Sequence, residues 1–247
     1  MVSGLDTFKE KFADFEDCYT IIGGAACDIL MSEADFDFRL TKDIDMILIL
    51  EDKKVEFAKT FWSYIKEGEY KCGWKNNDDI HFYRFTEPKA GYPIMIELFS
   101  RKPDYHLEIE EGIIPIHIDD DTSSLSALLL NEDFYSFMLS GRRTVDGISV
   151  LGAEYIIPFK MYAWLDLRMR KSQGEHVNDR DFKKHKNDVF RLLPIVNDEE
   201  KIPTEGLVKE SIQTFLEIIK DEKINLRQFG LDLSLDEVLI IFNQIYL

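Results

Sequence analysis

Short apolar runs alternate with helical spacings through the first 150 residues, and beyond that point the helical period takes over. Phe8, Phe12 and Phe15 predict a helix over 7–17, and the run at 19–22 reads as a short strand. After Gly23-Gly24, residues 25–34 are rich in helix formers, and 44–50 form a near-continuous apolar strand. Val55, Phe57, Ala58, Phe61, Trp62 and Ile65 give 53–68 a buried helical side that stops at Gly68. Strands are predicted at 80–85, 93–99 and 113–118, with connections short enough for antiparallel pairing. A helix is predicted at 125–139, and residues 142–151, with Asp146-Gly147, form either a hairpin or an exposed loop. Four helices follow at 154–170, 179–193, 207–219 and 235–245, the last opened by Ser234 with Glu237 three residues on, the pattern of a capping box.

The expected fold is therefore α+β: a mixed α/β domain over 1–150, then a helical domain over 151–247. At 247 residues and 45% hydrophobic content, the chain can build one large core or two modest ones. Cys18, Cys27 and Cys72 are far apart and form no CxxC pair, which suggests neither a disulfide framework nor a structural zinc site. The opening MVSGLDTFKEKFADF lacks the apolar core of a signal peptide, and the longest aliphatic runs are too short to span a bilayer. A cytoplasmic location without membrane partners is the expectation.

The formal charge of −17 opposes broad binding to nucleic acid or to anionic membrane. Lys160 to Arg191 departs from this, with nine basic against five acidic side chains. Such a segment either selects a polyanion locally or is the solvated face of helices.

Asp43 and Asp45 change the picture. In an extended segment both project from one face while Ile44 points the other way, about 7 Å apart at the backbone. Carboxylates so placed can converge on divalent cations, or can simply mark the mouth of a strand. Glu97, in IMIELFS, is the best-placed third carboxylate, its alternative being an edge glutamate facing water. Gly23-Gly24 between strand and helix is either a tight turn or a place where backbone N–H groups approach a phosphate. What favours the second reading is order: a glycine turn, one helix, an acid pair at a strand start, then a strand glutamate. In a haloacid-dehalogenase-like pair or a glycosyltransferase DxD the acids end the apolar run, whereas MILIL here follows them.

GGAACDIL, RLTKDIDMILIL and IELFS resemble the signature of the nucleotidyltransferase superfamily, and the GG…A…R.T.DID form is similar to its AbiEii/AbiGii toxin-type branch. Gly24 stands where the wider superfamily commonly has serine, and Ala25 where the branch often has threonine. KMYAWLDLRMR and KKHKNDVFRLL look like the branch's lysine helix and the helix after it, with Lys184-His185 where arginine and aspartate are usual. The resemblance implies a nucleotidyltransferase-like mixed sheet with flanking helices and a helical domain closing a nucleotide cleft.

It also implies roles. Asp43, Asp45 and Glu97 would be catalytic and hold Mg²⁺ or Mn²⁺; Gly23, Gly24, Arg39, Lys160, Lys184 and Asp188 would bind the nucleotide, Lys160 also serving catalysis. An NTP would donate its NMP to an acceptor hydroxyl on tRNA or on a small molecule. The residues admit other accounts: Arg39 can pair with Asp35 or Asp37, Lys160 can snorkel along its helix, and Trp164 and His185 fit a core and a helix hydrogen bond. The opposing function class is a catalytically silent module that binds a nucleotide, or an antitoxin-like protein partner, in a toxin–antitoxin type system.

Overall fold

A computed structural model of the chain describes residues 2–49, 54–76, 81–100 and 131–247. It divides into two compact units, Met1–Leu130 with Arg142–Leu151, and Asn131–Gly141 with Gly152–Leu247. Residues 131–141 thus belong with the helices, where a single cut near 150 would put them with the sheet.

The first unit is a mixed α+β structure, as the alternating periods suggest. In chain order it contains α1 (Leu5–Lys11), β1 (Tyr19–Ile22), α2 (Gly23–Glu33), β2 (Asp43–Leu48), α3 (Lys54–Glu67), β3 (Lys71–Asn76), β4 (His81–Thr86) and β5 (Met95–Ser100). The hairpin β6 (Arg142–Val145) and β7 (Ile148–Leu151) completes a seven-stranded sheet in the order β3-β4-β5-β2-β1-β7-β6. Strand β3 was not legible in the apolar pattern, and the strand expected at 113–118 lies outside the described residues. The helix expected at 7–17 stops at Lys11, and a 3₁₀ turn over Glu16–Cys18 leads into β1. The 142–151 alternative resolves to the hairpin. Asp146 and Gly147 at φ 48° and 75° make the two-residue turn between the Val145–Ile148 pair, the left-handed pair of residues such a turn needs.

Register assigns the two faces of this sheet. β1 pairs antiparallel with β2 (Tyr19 with Leu48, Ile21 with Met46), and β2 pairs parallel with β5 (Ile44 with Ile96, Met46 with Leu98). Partnered residues share a face, so one side carries Tyr19, Ile21, Ile44, Met46, Leu48, Ile96 and Leu98. Helices α1 and α3 cover it with aromatic rings at helical spacing. Phe8 stands 5.5 Å edge-on from Tyr19, Phe12 lies 5.7 Å from Phe57, and Phe61 lies 5.3 Å from Phe85. The opposite side carries Asp43, Asp45 and Glu97. The aromatic core and the acids therefore lie on opposite faces of the same strands.

The second unit contains α4 (Glu132–Ser140), α5 (Ala153–Ser172), α6 (Asp179–Leu192), α7 (Gly206–Ile219) and α8 (Leu235–Tyr246). Asn131 caps α4 through the amides of Asp133 and Phe134, and Ser234 with Glu237 forms the expected capping box on α8. Fully buried Trp164 stacks on Phe182 at 5.5 Å and meets Phe215 edge-on at 5.3 Å, so it is a core residue. Pro158 sits inside α5 and has no N–H for the carbonyl of Glu154. The Tyr246 hydroxyl, from α8, donates to that carbonyl at 2.6 Å. The bond a proline removed is thereby replaced from another helix.

Candidate active site on the acidic face of the sheet

The glycine turn and the acid pair meet. Gly23 adopts φ +68°, a left-handed conformation that side chains disfavour, and a Cβ there would lie 2.1 Å from Oδ2 of Asp45. The pairing of Ile22 with Asp45 across β1 and β2 makes this contact. Glycine is thus required at 23 by both the backbone and the carboxylate beside it. The Cys27 thiol donates to the carbonyl of Gly23 at 2.9 Å, tying the turn to the next turn of α2.

Gly24 is the second tight point. A Cβ there would lie 2.7 Å from Oγ1 of Thr41 and 3.4 Å from Nη2 of Arg39, so the RLT segment folds back over the start of α2. This brings Arg39, an expected nucleotide-binding residue, to the glycine turn. Residue Ile22 offers no side-chain cap to α2, and its first turn holds no acidic residue. The amides of a helix start, with a guanidinium next to them, are the kind of donors that can hold an anion.

Glu97 falls into register with the pair. It partners Asp45 across the parallel strands β2 and β5, about 5 Å away at the backbone. On its other side it partners Arg84 across β4 and β5. The Arg84 guanidinium donates from Nε to Oε1 of Glu97 at 2.7 Å, and its Nη2 lies 2.6 Å from the same oxygen in an ion pair. Asp45, Glu97 and Arg84 form a row across three strands on one face. Sequence reasoning passed over Arg84: its signal was the polar member of the FYRF alternation in β4, whose meaning depends on the strand pairing.

Among the described residues no three His, Cys, Asp or Glu side chains stand together as a ready-made metal cage. The half-buried Asp43 and Asp45 still fit Mg²⁺ or Mn²⁺ of the kind that comes with a nucleotide. Mg²⁺ is commonly held by one or two carboxylates with the remaining positions filled by phosphate oxygens and water.

Three expected site residues lie in the helical unit. Lys160 on α5 and Asp188 on α6 are both buried and paired, Nζ to Oδ2 at 3.3 Å, while Arg191 reaches Oδ1 at 3.2 Å. Each oxygen of Asp188 thus faces a cation. Lys184 lies one turn earlier on α6, half-buried. Burial and the pairing explain why a lysine and an aspartate occur here within otherwise apolar helix faces.

Neither a family model nor a curated protein matches this chain. Solved structures that resemble it include an antigenic nucleotidyltransferase-like protein from Paracoccidioides brasiliensis, with a TM-score of 0.49 and 13% identity over 99% of this chain and 95% of that one. The protein JHP933 from Helicobacter pylori gives 0.40 and 14% over 97% and 85%, and the Megavirus polyadenylate synthase 0.41 and 12% over 96% and 47%. These likenesses are loose in backbone and distant in sequence, and they assign no residue.

Proposed function

We propose that this protein is a metal-dependent nucleotidyltransferase that moves an NMP from an NTP to an acceptor hydroxyl. One observation carries the reading: the left-handed Gly23 turn at the start of α2 packs directly against the carboxylate of Asp45, so an uncapped helix start and an acid pair are contiguous. A triphosphate with its cation requires both, side by side.

In this reading the amides at the start of α2, with Arg39 beside Gly24, hold phosphate oxygens and spread their charge. Asp43 and Asp45 are the residues that would hold Mg²⁺, which when bound supplies Lewis-acid stabilisation of the phosphates. Glu97, next to Asp45 in register, would help hold a second cation. The acceptor oxygen forms its bond to the α-phosphorus as the bond to pyrophosphate breaks, and the acceptor hydroxyl proton leaves to a carboxylate or to water. A tRNA end or a small molecule can supply that hydroxyl. The net charge of −17 favours a cationic small molecule over a large RNA footprint.

The test is calorimetric titration of each NTP with and without Mg²⁺, on the wild type and on Asp45→Asn. Metal-dependent binding that disappears in the variant is the expected result. Binding that ignores both metal and variant would replace this reading with a silent nucleotide-binding module. Labelled NTPs incubated with total RNA and with an aminoglycoside panel then identify the acceptor class.

A further inference from the structure

We infer that Arg84 is a positioning residue for Glu97: it holds one carboxylate oxygen so that the other is presented to a second divalent cation entering with the nucleotide. The inference rests on the nucleotidyl-transfer reading of the acidic face.

The geometry is specific. Arg84, Glu97 and Asp45 occupy one register position on β4, β5 and β2, and the pleat puts all three on the face away from the aromatic core. Both guanidinium contacts, 2.7 Å from Nε and 2.6 Å from Nη2, converge on Oε1. Oε2 receives no hydrogen bond from the described residues. The Glu97 side chain is 13% exposed and that of Arg84 24%, so the pair is sheltered but within reach of a ligand.

Physical chemistry gives this a purpose. A glutamate has three side-chain torsions, and next to Asp45 its carboxylate would swing away from like charge. A guanidinium anchored on the adjoining strand offsets that repulsion and selects which oxygen stays free. Groups that hydrogen-bond a ligating carboxylate orient it, and losing one typically weakens metal binding about 10–100-fold. Lysine would keep the charge but lose the planar pair of donors. Among the described residues the three carboxylates do not by themselves form a cage, so a cation beside Glu97 would need phosphate oxygens and water to complete its coordination.

The experiment is Mn²⁺ titration, followed by calorimetry and by the Mn²⁺ paramagnetic resonance signal. It uses the full chain with the α,β-methylene analogues of the four ribonucleoside triphosphates. Wild type, Glu97→Gln, Arg84→Ala and Arg84→Lys are compared, each checked for a cooperative melt. The expected result is a tight and a weaker Mn²⁺ on the wild type. Glu97→Gln and Arg84→Ala should each weaken the second by about 10–100-fold and spare the first. Guanidinium chloride at low millimolar concentration should restore the second Mn²⁺ to Arg84→Ala but not to Glu97→Gln, and Arg84→Lys should recover only part.

Wild-type binding of the second Mn²⁺ in both Arg84 variants would overturn the inference and leave a cross-strand ion pair only. An unaffected Glu97→Gln would overturn it too. If Arg84→Ala does not fold, Arg84→Lys decides by the same titration. A wild type that binds nucleotide without any Mn²⁺ dependence would instead overturn the transferase reading itself, and this inference with it.

Discussion

Two carboxylate–cation arrangements, one in each unit, use the same chemistry to opposite ends. On the sheet, Arg84 engages a single oxygen of Glu97, and the neighbouring Asp45 lies directly against Gly23. In the helices, Asp188 is fully buried and both its oxygens meet cations, Lys160 on one and Arg191 on the other. The helical site is closed on itself, so its charges serve the packing of α5 on α6. Glu97 keeps acceptor capacity on its second oxygen. The two arrangements thus differ in how far protein cations satisfy the carboxylate: at both oxygens of Asp188, and at one oxygen of Glu97.

The difference can be broken most forcefully at Asp188. Asp188→Ala leaves Lys160 buried without its partner and should cost about 3–5 kcal/mol, lowering the melting temperature by about 6–20 °C. Lys160→Met combined with Asp188→Leu should recover most of that loss, because an apolar pair of similar volume removes the desolvation problem. A melt of Asp188→Ala that matches the wild type would sink the idea of a closed structural pair.

On the sheet side Gly23→Ala should cost about 1–3 kcal/mol for its left-handed backbone. It should also abolish metal-dependent NTP binding, because Asp45 must move to admit the Cβ. Gly91→Ala is the control, since Gly91 has φ +92° but nothing within 4 Å of an added Cβ. It should show the backbone cost with nucleotide binding intact in the same calorimetric titration.

Tyr246→Phe should cost about 1–3 kcal/mol by leaving the Glu154 carbonyl unsatisfied beside Pro158, as measured by denaturant unfolding. Burial pushes the Tyr246 phenol well above its usual value of 10.0. A raised pKa means that the folded chain keeps a proton the unfolded chain gives up. Its contribution is whole below pH 10.0 and is lost as pH rises above it. Alkaline melts should therefore decline from about pH 10 in the wild type, and less steeply in Tyr246→Phe. Tyr19, raised chiefly by burial, adds to the same decline.

Asp45→Asn should have the smallest effect on stability, within about 1 kcal/mol, since it removes one of the like charges that Asp43, Asp45 and Glu97 bring to one face. Its effect on function should be complete loss of Mg²⁺-dependent NTP binding. EDTA should reproduce that loss on the wild type. A variant that melts low yet binds nucleotide would place Asp45 with Asp188 in the structural class.

Most elements could be read from the chain because their signals are local. The apolar period marked β1, β2 and the four long helices, the Ser234–Glu237 box marked the start of α8, and Asp146-Gly147 marked the turn it makes. Strand β3 went unread because KCGWKN lacks a clear alternation, and its place at the sheet edge comes from pairing with β4. In the site, Asp43, Asp45, Gly23, Gly24 and Arg39 were legible because they lie within one short motif. Arg84 was not, being paired to a residue on another strand.

What the sequence by itself determined is the local grammar: glycines that must sit at a strand-to-helix turn, acids at the mouth of an apolar strand, caps and periods. Tertiary structure alone decided which of these meet. Strand register set Asp45 against Gly23 and put Glu97 between Asp45 and Arg84, and helix packing joined Lys160 to Asp188. The reason is physical. A periodicity fixes which way a side chain points from its own element, whereas its partner depends on hydrogen-bond register and burial between segments far apart in the chain.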